Sequence, residues 1–94
     1  QNAVQPDIVV VLDKNKSIIN PKGHIHGVPD MIIEILSHRN KDHDRVRKKA
    51  LYERFGVKEY WMVDPETKAT EGFSLKDGAY ASLAGETGKF FSPL

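Results

Sequence analysis

Cysteine is absent from the 94 residues, which excludes a disulfide scaffold and any thiolate zinc site and fits a reducing compartment such as the cytoplasm. Long apolar runs are missing too; none approaches the roughly 20 residues of a membrane helix, so no membrane partner is expected. Charge of one sign is also lacking. The formal net charge is +1, too small to imply a polyanionic partner by itself. There is no signal peptide, internal repeat or low-complexity tract. What remains, 39 % hydrophobic and 29 % charged residues, is the composition of one small domain with a single core. The chain opens on Gln1 and closes on Ser92-Pro93-Leu94 with no terminal structure evident. A piece of a longer protein is therefore expected.

The stretch Pro29 to Ser37 says most. Met31 to Leu36 is nearly continuous aliphatic sequence, the signature of a strand covered on both faces, yet it contains Glu34. Side chains alternate along a strand, so Asp30, Ile32, Glu34 and Leu36 share one face. A carboxylate there needs a partner or a cation. Upstream, Asp7 opens a second strand, Asp7 to Leu12. Residues 13–29, with Asn20-Pro21, Gly23, Gly27 and Pro29, read as a loop or loose hairpin. A helix is predicted over residues 41–55, with Asn40 as N-cap and Gly56 as its stop. Strands follow at Lys58 to Val63, Thr70 to Leu75 and Ala79 to Leu83, the last two around the turn Lys76-Asp77-Gly78. The order β-β-α-β-β-β predicts an α/β fold with a mixed sheet and one main helix.

At about 100° per residue, Asp44, Lys48, Leu51, Tyr52 and Phe55 fall in one stripe of that helix. Leu51 and Phe55 are expected to face the core, carrying Lys48 inward, while Arg45, Lys49 and Glu53 point elsewhere. The bland alternative has Lys48 snorkelling along the core edge or pairing with Asp44. From Arg39 to Lys49 there are six Lys or Arg against two acids. This segment is either a solvated helix face or a cradle holding a polyanion beside the acids. Two carboxylates on adjacent strands make a hard-cation site that suits Mg²⁺, which keeps several waters and takes substrate phosphate as ligand. With Lys48 supplying preorganised positive charge, the chemistry indicated is metal-assisted phosphodiester hydrolysis.

Three blocks carry a family resemblance: Val4-Gln5-Pro6-Asp7-Ile8-Val9-Val10, then Gly27 to Ser37, then Asp44, Lys48 and Tyr52 followed by Gly56 to Pro65. Together they resemble the Uma family, a bacterial branch of the PD-(D/E)XK nuclease superfamily. The likeness runs from end to end, and Gly56-Val57-Lys58-Glu59-Tyr60-Trp61-Met62-Val63-Asp64-Pro65 is its most specific part. It implies a restriction-endonuclease-like core, truncated at the amino terminus, because members are about twice as long. It also implies DNA as substrate and Mg²⁺ or Mn²⁺ as cofactor. By the same resemblance Asp7 and Glu34 are the metal-binding acids, and the backbone carbonyl of Ile35 is a further metal ligand. Leu36 stands where the superfamily has lysine, and Lys48 on the following helix is the matching residue in this branch. Ser37-His38-Arg39 departs from the Ser-Pro-Ser of relatives.

Other features have plainer readings. His24, His26, His38 and His43 lack cysteine partners and read as solvated. Asp30, Asp44 and Tyr52 are outer candidates around the acid pair, although Pro29-Asp30 is also ordinary turn chemistry and Tyr52 an ordinary core-edge tyrosine. Tyr60, Trp61 and Met62 read as core, Asp64-Pro65 as a strand end, and Gly85 to Gly88 lacks the length and lysine of a phosphate loop. A homodimer is expected, since it would cover exposed sheet and suit cleavage of both strands of a duplex. The alternatives are a non-catalytic descendant that binds DNA or protein, and a structural fragment with no activity.

Overall fold

A computed structural model describes residues 6–36, 42–83 and 92–94, with the backbone alone for 42–44. Five strands form one sheet in the order β1-β2-β3-β4-β5: β1 is Ile8–Val10, β2 Met31–Ile35, β3 Glu59–Val63, β4 Thr70–Lys76 and β5 Ala79–Leu83. One helix, α1, spans Asp42–Phe55 and connects β2 to β3, the single parallel pair. The other neighbours are antiparallel. A parallel pair cannot be joined by a tight turn, so the helix is the crossover that this topology demands. The mixed α/β architecture expected from the order of elements is the one observed. Asn40 and the side chain of Asp44 lie outside the described residues, as do those of His38 and His43.

Local chemistry sets the boundaries. At the end of α1, Gly56 has φ +85°; its N–H bonds to the carbonyl of Glu53, and the N–H of Val57 reaches the carbonyl of Tyr52. That is a Schellman stop, and the hydrophobic contact that accompanies it joins Val57 to Tyr52 in the core. Asp77 and Gly78 both have positive φ, as a two-residue hairpin turn between β4 and β5 requires. Two expectations need correction. Within residues 13–29, expected as a loop or loose hairpin, Asp13–Ile18 form a 3-10 helix, and only the antiparallel bridge between Ile19 and Ile25 that follows matches a hairpin. The strand at Asp7 to Leu12 is shorter than expected, covering only Ile8–Val10.

The main core lies between α1 and the sheet, where Ile32, Tyr52, Val57, Tyr60, Met62 and Phe73 cluster with Leu36 and Tyr80 at its edge. The helix turns Lys48, Leu51 and Tyr52 inward as its apolar stripe predicts, but it meets the sheet over a broader face. Leu51 is buried but stands outside that cluster, and Phe55 is 46 % exposed. Arg45, Lys49 and Glu53, expected to point away, contact the sheet. Arg45 bonds Glu71 at 2.7 Å, the Lys49 ammonium sits 4.1 Å from the Phe73 ring centre, and Glu53 accepts the Tyr80 N–H at 2.7 Å. Long side chains bury their stems and keep their heads bonded, so this face needs few apolar residues.

On the opposite face of the sheet Trp61 is fully buried against Gly72, its cross-strand partner. A Cβ at Gly72 would run into the indole ring. Trp61 donates its indole N–H to Glu59 Oε1 at 2.7 Å, and Glu59 Oε2, also buried, has no hydrogen-bond partner among the described residues.

Candidate active site

Strand pairing builds the site. Ile8 faces Ile33 across β1 and β2, and continuing that register by one residue sets Asp7 opposite Glu34. Residues directly opposite share a face and have Cβ atoms about 5 Å apart. Asp7 is exposed, while Glu34 is 4 % exposed. Asp7 Oδ2 accepts the N–H of Ile35 at 2.8 Å, which locks its carboxylate over the end of β2. Within a strand the N–H and C=O of one residue leave on the same side. The carbonyl of Ile35 therefore also points toward Asp7. Leu36 turns the other way and bonds the carbonyl of Val63 on β3.

Two residues of α1, four apart and hence on one face, complete the cluster. Lys48 Nζ lies 3.4 Å from Glu34 Oε1, with its side chain 17 % exposed. The Tyr52 hydroxyl donates to Glu34 Oε2 at 2.6 Å in a buried bond. Burial pushes the Glu34 carboxyl above its usual range, and the Tyr52 hydrogen bond and the Lys48 charge work against that shift, with Asp7 adding to it. Burial and the negative charge of Glu34 also raise the Tyr52 hydroxyl, so it stays protonated and acts as donor. One wall of a cleft of about 400 Å³ runs alongside, lined by Leu36, Arg45, Met62, Asp64, Thr70 and Glu71. Met62 is the β3 partner of Glu34, and neither Asp7 nor Glu34 lines the cleft.

Asp7, Glu34, Lys48 and Tyr52 are thus brought together, as is the carbonyl of Ile35. Asp30 is not. It shares the strand face with Glu34, but its carboxylate is engaged at the other end of β2 by the Leu12 N–H at 2.7 Å, Asn15 Nδ2 at 2.8 Å and Lys58 Nζ at 3.5 Å. The histidines of the loop are exposed, and His26 Nε2 lies 2.9 Å from the Asn20 amide. Among the described residues no three His, Cys, Asp or Glu side chains converge as a metal-binding group. The donor set at the end of β2 is two carboxylates and one carbonyl, all oxygen. Such a set fits a Mg²⁺-type ion that retains waters. Tyr52, an outer candidate around the acid pair in the sequence, bonds Glu34 directly.

The described residues form a mixed α/β sheet with Asp7 and Glu34 at one strand end and Lys48 reaching in from the crossover helix. A putative nuclease of the DUF820 group from Anabaena variabilis ATCC 29413 has the same fold: the structures superpose with a TM-score of 0.61 at 22 % sequence identity over 84 % of this chain. The chain spans 45 % of that nuclease's length. The chain belongs to the Uma2 family, described as "Putative restriction endonuclease", which matches residues 1–93. No curated protein matched the chain.

Proposed function

We propose that this chain is the core of a metal-dependent endonuclease that hydrolyses phosphodiester bonds in DNA. The observation that carries this reading is the convergence of Asp7, Glu34 and Lys48 at the end of β2. Asp7 and Glu34, with the Ile35 carbonyl, would hold Mg²⁺ or Mn²⁺. Such an ion lowers the pKa of a bound water and stabilises charge building on phosphorus. Lys48 assists the attacking water by orienting it and by neutralising developing charge, as a fixed cation in a partly closed site does. Tyr52 stands behind Glu34. The family description, restriction endonuclease, supports DNA as the substrate class. Cleavage of both strands suits a two-fold dimer.

Metal titration and plasmid cleavage test the proposal together. The native chain should bind Mg²⁺ or Mn²⁺ and nick or linearise supercoiled plasmid. Glu34→Gln should lose both activities with its thermal unfolding still cooperative. Cleavage retained in the variant would sink the assignment, and an inability of the native chain to bind metal would favour a non-catalytic binding role.

A further inference from the structure

The two oxygens of Glu34 have unequal surroundings. Oε2 receives the Tyr52 hydroxyl at 2.6 Å, and Oε1 has the Lys48 ammonium at 3.4 Å. Tyr52 is 1 % exposed and held rigidly. Its backbone carbonyl accepts the N–H of Val57 in the helix stop, and its ring meets Tyr60 edge-on with centroids 5.1 Å apart. Lysine hangs from a flexible four-carbon stem, whereas the tyrosine hydroxyl rides on a rigid ring. A carboxylate can only accept, so the hydroxyl proton must point at Oε2.

We propose that Tyr52 is a positioning residue of the metal site, fixing Oε2 of Glu34 so that Oε1 is presented toward Asp7 and the Ile35 carbonyl. The inference rests on the endonuclease reading, because it needs a cation between those oxygens. Outer partners of metal-binding carboxylates set ligand orientation, and their loss weakens metal binding. Tyr52 combines a shorter contact with Glu34 and a more rigid side chain than Lys48 does.

Tyr80 supplies an internal control. Its hydroxyl donates to the Val57 carbonyl at 2.7 Å, a bond of the same length class that touches no acid of the site. Mn²⁺ binding without DNA is measured on the native chain, Tyr52→Phe and Tyr80→Phe, following free Mn²⁺ by electron paramagnetic resonance. Thermal unfolding of each metal-free protein is recorded in parallel. Tyr52→Phe keeps the ring and is expected to raise the Mn²⁺ dissociation constant roughly 10- to 100-fold. Tyr80→Phe should lower the unfolding temperature without altering Mn²⁺ affinity. Native affinity in Tyr52→Phe, or an equal loss in both variants, would overturn the inference and leave Tyr52 a core residue. A Tyr52→Phe chain that no longer unfolds cooperatively would overturn it as well, since the fold and not the metal geometry would then depend on the hydroxyl. If the native chain takes up no Mn²⁺, the endonuclease reading itself fails, a result distinct from any difference between the variants.

Discussion

Lys48 sits where two demands meet. Under the proposed mechanism it must be close enough to Glu34 to stabilise a buried carboxylate, and loose enough to follow charge as it moves onto a phosphate. At 3.4 Å its ammonium is near Oε1 without the short contact that Tyr52 makes with Oε2. Lys48→Ala should therefore lower turnover roughly 100-fold, the scale seen when one preorganised charge-stabilising donor is removed. Metal affinity should change far less, because two carboxylates and a carbonyl remain. Single-turnover cleavage at saturating Mn²⁺, set beside Mn²⁺ binding, separates the two effects. Unchanged turnover would return Lys48 to a structural role. An acid inside an aliphatic strand is conspicuous in a sequence because it violates the burial rule, so Glu34 and its need for a partner were legible. The inward turn of Lys48 was legible from the stripe it shares with Leu51 and Phe55, of which Leu51 is buried and Phe55 half exposed. Asp30 satisfied the same face rule, yet the fold sends it to Leu12 and Asn15, which no one-dimensional pattern encodes.

At the scale of elements, sequence reading did best where a segment carries its own instructions. β2 and β3 declare themselves through aliphatic and aromatic runs, the Asp77-Gly78 turn through its residues, and the end of α1 through Gly56. The 3-10 helix Asp13–Ile18 was missed because its polar residues show no period, and Asp30 holds it from 15 or more positions away. The breadth of the sheet-facing side of α1 was missed because Arg45, Lys49 and Glu53 serve as packing residues through their stems. Two glycines separate backbone strain from steric clash. At Gly56 an added Cβ meets nothing within 4 Å, but φ is +85°, so Gly56→Ala should destabilise by about 1 kcal/mol through backbone strain alone. At Gly72 the clash is with the Trp61 ring, and Gly72→Ala should destabilise by about 1–3 kcal/mol, as overpacking does. Urea unfolding with tryptophan emission as the probe reads both. An altered emission maximum in folded Gly72→Ala, absent from Gly56→Ala, would identify the displaced indole.

For the whole molecule, β2 works as a beam with a charged joint at each end. Its carboxyl end holds the Asp7–Glu34–Lys48–Tyr52 cluster, and its amino end, through Asp30, anchors the 3-10 segment and the exposed Lys58. Burial favours the neutral form of Asp30, but the Leu12 N–H, the Asn15 amide and Lys58 outweigh it and hold the carboxyl below its usual range. A depressed carboxyl pKa means that the folded state releases this proton more readily than the unfolded chain. The stabilisation is therefore complete above the unfolded value, about 3.9, and drains away as pH falls through the folded value. Glu34, shifted upward, contributes with the opposite sign, so the measurement belongs in a Glu34→Gln background. There, unfolding free energy should fall in the acid limb below about pH 4, and adding Asp30→Asn should lower stability at neutral pH while making that limb shallower. An acid limb of unchanged slope would mean that the joint to Leu12 and Asn15 does not persist in solution. Retained neutral-pH stability in the double variant would show that the hydrogen bonds, which asparagine can partly keep, matter more at this joint than the charge.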